Sequence, residues 1–338
     1  MNAAGVESPR EHHSLLVEVT RGAGVESLHH VHAVVCDSAG ACLEAWGEAA
    51  RPVFPRSAVK PIQALALVES GAIEEYGLSE IELALACASH GGQPAHIAAV
   101  RAVLERCGFG EDDLECGPHA PLHGPSARAL WAAGKEPSAI HNNCSGQHAG
   151  LLAMARTMGA PSRGYTAAEH PVQVRIAEAL SDATGCDLDD AARAGDGCGI
   201  PTFAVPLAGL ARAAARLADP AKFAPTRRRA MRRVAKAMTS HPFMVGGEGR
   251  PCSEIARLSE GAVLVKTGAE GVFIAALRDR GIGLALKVED GAMRAAGVAL
   301  AALLRHLEAP SAAIEQFLEV AVADTRGAGV GVIRAAVA

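Results

Sequence analysis

Runs with β character open this 338-residue chain and return near its end, and a long helical stretch separates the two groups. Residues 15–19, 27–36 and 41–46 form the first group, broken at Arg21-Gly22-Ala23-Gly24 and Asp37-Ser38-Ala39-Gly40, both suitable turn material. Residues 262–266, 272–277 and 283–288 form the second, and a last strand is expected near 331–337. The middle reads as helices over 95–106, 146–157, 172–183, 206–217 and 225–238, joined by glycine-rich segments, while 81–86 reads as strand-like. Two further helices are expected at 292–306 and near 312–321. Strands at both ends around a helical middle predict an α/β (α+β) fold, in which both chain ends build one antiparallel sheet that helices flank. A mainly helical subdomain is inserted into it. The whole of 1–338 is then one enzyme domain, with a sheet subdomain from about 12–60 and 255–338 and a helical region over about 61–254.

That topology would bring two distant motifs together. Ser57-Ala58-Val59-Lys60 sits early and Lys266-Thr267-Gly268 late, the pairing of a serine–lysine acyl-transfer site such as that of β-lactamases and penicillin-binding proteins. A helix should enter near Ser57 and run to about Glu69, and Pro61 is tolerable only in its first turn, so Ser57 and Lys60 share the helix entrance. Serine needs a neighbour to take its proton, and lysine acts as a base only when its pKa is depressed. The chain has only six lysines among 32 Lys+Arg, so most of its positive charge is arginine, which does not give up its proton.

Composition narrows the function further. The chain is 49% hydrophobic and 20% charged, as expected of a compact soluble protein, and its net charge of −5 gives no electrostatic footprint for nucleic acid. The N-terminus lacks the basic-then-apolar pattern of a signal peptide, and no apolar run reaches membrane-spanning length. Nine cysteines, an odd number without a C-x-x-C pair, fit reduced thiols and a cytoplasmic location.

Three other segments could contribute chemistry. Ser89, in Ala86-Cys87-Ala88-Ser89-His90-Gly91-Gly92, could be a second hydroxyl, or a solvated serine in a glycine-rich turn. Cys144 and His148, in the segment 142–148, are four residues apart and can share a helix face; Cys198 lies in Asp196-Gly197-Cys198-Gly199. On spacing alone, a packed free cysteine is a better reading of each than a metal ligand. The segment 241–249 reads as a flexible loop able to wall a small polar ligand.

Taken in order, the runs RSAVK, ALACASHGG, HNNCSGQHAG, DGCGIP, HPFMVGGEGR, VKTGAEGV and ALKVEDGA resemble the thermolabile, rhizobial-type (class 3) L-asparaginases, over roughly residues 51–294. The resemblance implies a β-lactamase/glutaminase-like fold, a homodimer, and hydrolysis of the small molecule L-asparagine to L-aspartate and ammonia, with no cofactor needed for the chemistry. It also implies two Ser–Lys pairs, Ser57 with Lys60 and Ser89 with Lys266. A zinc ion held by two cysteines and a lysine is implied as well; the cysteines fall on Cys144 and Cys198, but the lysine position is Gln147. A third ligand would then have to come from His148 or Asp196, or no metal binds.

The expected mechanism has Ser57 attacking the amide carbon while Lys60, made neutral by nearby positive charge, takes its proton. Ser89 and Lys266 relay a proton to the leaving ammonia, although either serine is chemically competent as the nucleophile. Backbone N–H groups around Ser57 and Gly268 face the oxyanion. Arg56 is assigned to the substrate carboxylate and Asp196 or Glu248 to its ammonium, with structural ion pairs as the alternative. A glutaminase on the same framework, a penicillin-recognising acylase and a non-catalytic amino-acid binder are the rival readings.

Overall fold

The computed structural model describes residues 10–336. Its main sheet has nine strands among these residues: β1 (Arg10–His12), β2 (Leu15–Arg21), β3 (Gly24–Asp37), β4 (Cys42–Trp46), β5 (Val263–Gly268), β6 (Val272–Leu277), β7 (Ile282–Val288), β8 (Glu319–Ala323) and β9 (Gly329–Ala335). The order is β8-β9-β2-β3-β7-β6-β5, antiparallel throughout, with β4 also pairing β3 and β1 added in parallel to β4. Early and late strands meet at β3 and β7, where Val31–Asp37 pairs with Ile282–Val288. β5, β6 and almost all of β7 are buried, so their near-continuous apolar sequence reflects cover on both faces. The sheet built from both ends, with helices around it, is the expected fold.

The helices that position the site are α1 (Lys60–Glu69), α2 (Glu80–Ala86), α3 (Pro94–Arg106), α4 (Ser145–Thr157), α5 (Pro171–Thr184), α6 (Leu207–Ala218), α7 (Pro225–Ser240), α8 (Pro242–Gly246), α9 (Pro251–Leu258) and α10 (Met293–His306). α6 lies directly on β7. A Cβ at Gly283 would collide with the backbone of Ala211 and Ala215, so the close approach needs glycine there. Among the described residues no helix is long and apolar enough to cross a membrane.

Three local expectations need correction. Residues 81–86 are helical, not extended, because Ser79 caps α2 and Glu82 returns the bond to the Ser79 backbone. The expected helix near 312–321 is one short turn, Glu315–Leu318, followed by β8, whose Val320 and Val322 favour a strand once β9 offers a partner. The segment 241–249 contains α8, and Met244, Val245 and Gly246 are buried, so it is core as well as loop. The expected final strand runs to Ala335; Val337, its anticipated end, lies outside the described residues, as do residues 1–9 of the segment read for a signal peptide.

Candidate active site

Lys266 lies in β5, whose six residues are all buried. Its Nζ donates to Ser89 Oγ at 2.9 Å and to the Thr267 carbonyl at 2.7 Å. Burial pushes its pKa down to about 7, with help from the positive charges of Lys60 and Arg250 and against the sulfur of Cys252. A lysine poised near neutrality beside a serine hydroxyl has the geometry and basicity of a general base.

The loop carrying Ser89 is tied down on both sides. Ser89 N–H donates to Val245 O at 3.1 Å, and Arg250 Nη1 donates to Ser89 O at 2.6 Å. His90 N–H donates to Asn143 O at 3.0 Å. Its ring accepts at Nδ1 from Gly92 N–H, which leaves Nε2–H to reach Ser145 Oγ at 3.0 Å. Burial holds His90 well below the ordinary histidine range, so it is neutral and structural. Arg250 was not anticipated as a site residue; its place in the run HPFMVGGEGR was the only sequence signal.

Ser57 lies in a 3₁₀ turn, Arg56–Val59, that leads into α1, with Pro61 in the first helical turn. Arg56 has φ +51°, a left-handed conformation that a non-glycine residue adopts at a cost of about 1–3 kcal/mol. Two features hold it there. Its Nε donates to Asp196 Oδ1 at 2.5 Å, and Gly268 lets the end of β5 lie against the turn. A Cβ on Gly268 would collide with the Pro55 carbonyl and sit 3.1 Å from Ala58 N. Ser57 is partly exposed, and its hydroxyl makes no hydrogen bond among the described residues.

Lys60 is buried, but it is not the neutral base expected from the sequence. Its Nζ donates to the Ala88 carbonyl at 2.6 Å and to Cys144 Sγ at 3.0 Å. Burial alone would lower its pKa; the sulfurs of Cys144 and Cys198, together with Asp196, outweigh that, and the net direction is upward. Cys144 falls to about 5 because Cys198 donates a hydrogen bond to it and Lys60 lies alongside, against the opposing effect of burial. Cys198, the donor, is pushed up and stays a thiol. The direction at Lys60 is therefore toward the ammonium, opposite to the neutral base expected from the sequence, and Cys144 Sγ also lies 3.2 Å from Asn143 Oδ1. The two lysines flank one dipeptide, Lys60 on the Ala88 carbonyl and Lys266 on the Ser89 hydroxyl.

Arg56 and Asp196 pair with each other beside a cavity of about 620 Å³ that also has Arg51, Thr202, Glu270 and Lys287 on its wall. Glu248 is not with them. It is exposed, and its carboxylate lies 3.7 Å from His123 Nε2. His148 is buried on α4, its Nδ1 2.8 Å from the Tyr165 hydroxyl and its Nε2 without a partner; burial and the Lys60 charge lower its pKa to about 3.

The donors around Cys144 and Cys198 do not fit zinc, which takes four ligands, or three and a water. Gln147, at the implied lysine position, donates its amide to Gln63 Oε1 at 2.7 Å, and Lys60 takes up Cys144 Sγ. Asp196 is occupied by Arg56, and among the described residues no group of three His, Cys, Asp or Glu side chains is arranged to hold a metal. The zinc implied by the resemblance is corrected on those grounds.

The site thus combines a buried serine–lysine contact on a sheet strand with a second buried lysine on the neighbouring carbonyl. The family model described as L-asparaginase II matches residues 17–335, and the chain belongs to that family. Solved structures similar to it include a β-lactamase from Mycobacterium bovis, at 18% identity and TM-score 0.42 over 76% of this chain and 86% of that one. Mglu in its native form matches at 16% identity and TM-score 0.40, over 77% and 59% of the two chains. No curated protein sequence matches the chain.

Proposed function

We propose that the protein hydrolyses the side-chain amide of L-asparagine, with Ser89 as nucleophile and Lys266 as its base. The observation that carries this reading is the 2.9 Å contact between Ser89 Oγ and a fully buried Lys266 Nζ. Neutral Lys266 takes the hydroxyl proton as Ser89 Oγ bonds to the amide carbon, and the resulting ammonium returns that proton to the departing ammonia. Water then attacks the seryl ester, again with Lys266 as base, and releases aspartate. Lys60 remains an ammonium through both steps and adds positive potential where the oxyanion develops. Arg56 and Asp196 exchange their mutual contact for the substrate's α-carboxylate and α-ammonium.

Ser57 as nucleophile is the second reading, supported by its partial exposure and strained turn beside β5. The test is ammonia release from asparagine and glutamine by the purified chain, with Ser89→Ala and Ser57→Ala side by side. One methylene separates the two substrates, so a pocket fitted to asparagine should favour it by about 1–3 kcal/mol, or 10- to 200-fold in kcat/KM. A preference for glutamine would make the protein a glutaminase, and ammonia release from neither would end the proposal. The implied homodimer is tested by light scattering.

A further inference from the structure

Both backbone groups of Ser89 are bonded to one short segment, and a single side chain makes one of those bonds. We propose, on the reading of Ser89 as nucleophile, that Arg250 is its positioning residue. The guanidinium holds the serine's peptide so that Oγ stays on Lys266 Nζ while the ester forms and breaks.

The contacts close a loop around Ser89. Its N–H donates to the Val245 carbonyl at 3.1 Å, and its own carbonyl accepts from Arg250 Nη1 at 2.6 Å. The same nitrogen reaches the Gly246 carbonyl at 3.3 Å, so one amino group ties the serine to the segment that carries the arginine. Gly247, at φ +94°, lets that segment lie close over the serine loop. A Cβ there would stand 2.5 Å from Gln93 Oε1 and 3.4 Å from Gly91 N. With its N–H and carbonyl both fixed, the Ser89 Cα–Cβ bond has one direction, and only rotation about χ1 is left to the hydroxyl.

Arg250 also shares its support with the base. Pro251 keeps Arg250 extended, at φ −94° and ψ 145°, and opens α9, which packs on β5, the strand of Lys266. Ser89 and Lys266 are 177 positions apart in the chain, so their 2.9 Å contact depends on such cross-links. Arg250 is also left without an anion. Glu248 and Glu254, its acidic neighbours in sequence, lie beside His123 and Arg257, and among the described residues Arg250 forms no ion pair. A charged donor bonds a carbonyl about twice as strongly as a neutral one, and no carboxylate competes for this guanidinium.

The experiment uses the full chain with Arg250→Met, which removes the donor and its charge, and Arg250→Lys, which keeps both on a shorter side chain. Arg250→Met should lower kcat for asparagine about 10²-fold and leave KM within about threefold, because the residue acts through Ser89 and not on the substrate. Arg250→Lys should recover about tenfold of that loss. Amide hydrogen exchange read by mass spectrometry should be about tenfold faster over residues 88–91 in Arg250→Met, near wild type in Arg250→Lys, and unchanged over β6. Wild-type kcat in Arg250→Met would overturn the proposal. So would a rise confined to KM, which would put Arg250 on the substrate, or faster exchange over β6 as well, which would mean general loosening. Exchange needs no turnover. If the wild type releases no ammonia, the asparaginase reading fails alone, and unchanged exchange over 88–91 still ends the clamp.

Discussion

The two buried lysines began as near-equals in the sequence and differ sharply in the fold. Lys266 and Lys60 are both essentially inaccessible, at 0% and 1%, and both donate two hydrogen bonds. What separates them is the second partner. Lys266 meets only neutral oxygens and has positive neighbours, so burial prevails and its pKa falls to about 7. Lys60 meets a sulfur that ionises, so the pair keeps its charges inside the protein. Burial by itself does not make a lysine a base; the charge of the group it touches decides.

The contrast is easiest to break at the base. Lys266→Met and Ser89→Ala should each lower kcat/KM for asparagine by about 10⁴-fold or more, read from ammonia release, while circular dichroism stays that of the wild type. A variant of either kind that keeps a tenth of wild-type activity would hand the chemistry to the other pair. In the wild type, kcat/KM should fall as pH drops through about 7, because protonated Lys266 accepts nothing. Stability carries the same signature. Between about 7 and the ordinary lysine value of 10.5 the unfolded chain binds the extra proton, so the urea midpoint should rise with pH across that window, and Lys266→Met should abolish that component of the rise.

Lys60→Met should cost less activity, about 10²-fold. It should also move the acidic limb of the pH profile to higher pH, since the Lys60 charge helps hold Lys266 down. An unmoved limb would mean that the two amines do not sense each other. Gly268→Ala should destabilise by about 1–3 kcal/mol, through collision with the Pro55 carbonyl, and lower activity by displacing the Ser57 turn. A denaturation midpoint within error of the wild type would show that the turn yields freely. The smallest effect is expected for Ser57→Ala, about tenfold in kcat/KM. A loss as large as that of Ser89→Ala would exchange the serines' roles.

Much of this was legible from residue order. The apolar runs at 272–277 and 283–288 match β6 and β7 closely, because a strand buried on both faces has an apolar sequence whatever its partners. The apolar run 81–86 reads as strand-like on its own, and the Ser79 and Glu82 capping pair that makes it α2 lies just before and within it. The 312–321 segment failed for a different reason. Its residues suit either state, and pairing with β9 decided it. Within the site, Ser89, Lys266, Arg56 and Asp196 were all named from the sequence, whereas Arg250 and the Gln147–Gln63 contact emerged only from the fold.

The sequence by itself determined most of the element types, the order of the motifs and membership of the L-asparaginase II family, since these are properties of local pattern. Only the tertiary structure decided which partners the two buried lysines meet, which side chains surround Cys144, and that Glu248 lies beside His123 and apart from Asp196. Those outcomes depend on what lies within about 3 Å of a charged atom, and Coulomb interactions in a dry interior are set by distances between residues far apart in the chain. Lys60 and Cys144 are 84 positions apart in the sequence and 3.0 Å apart in space.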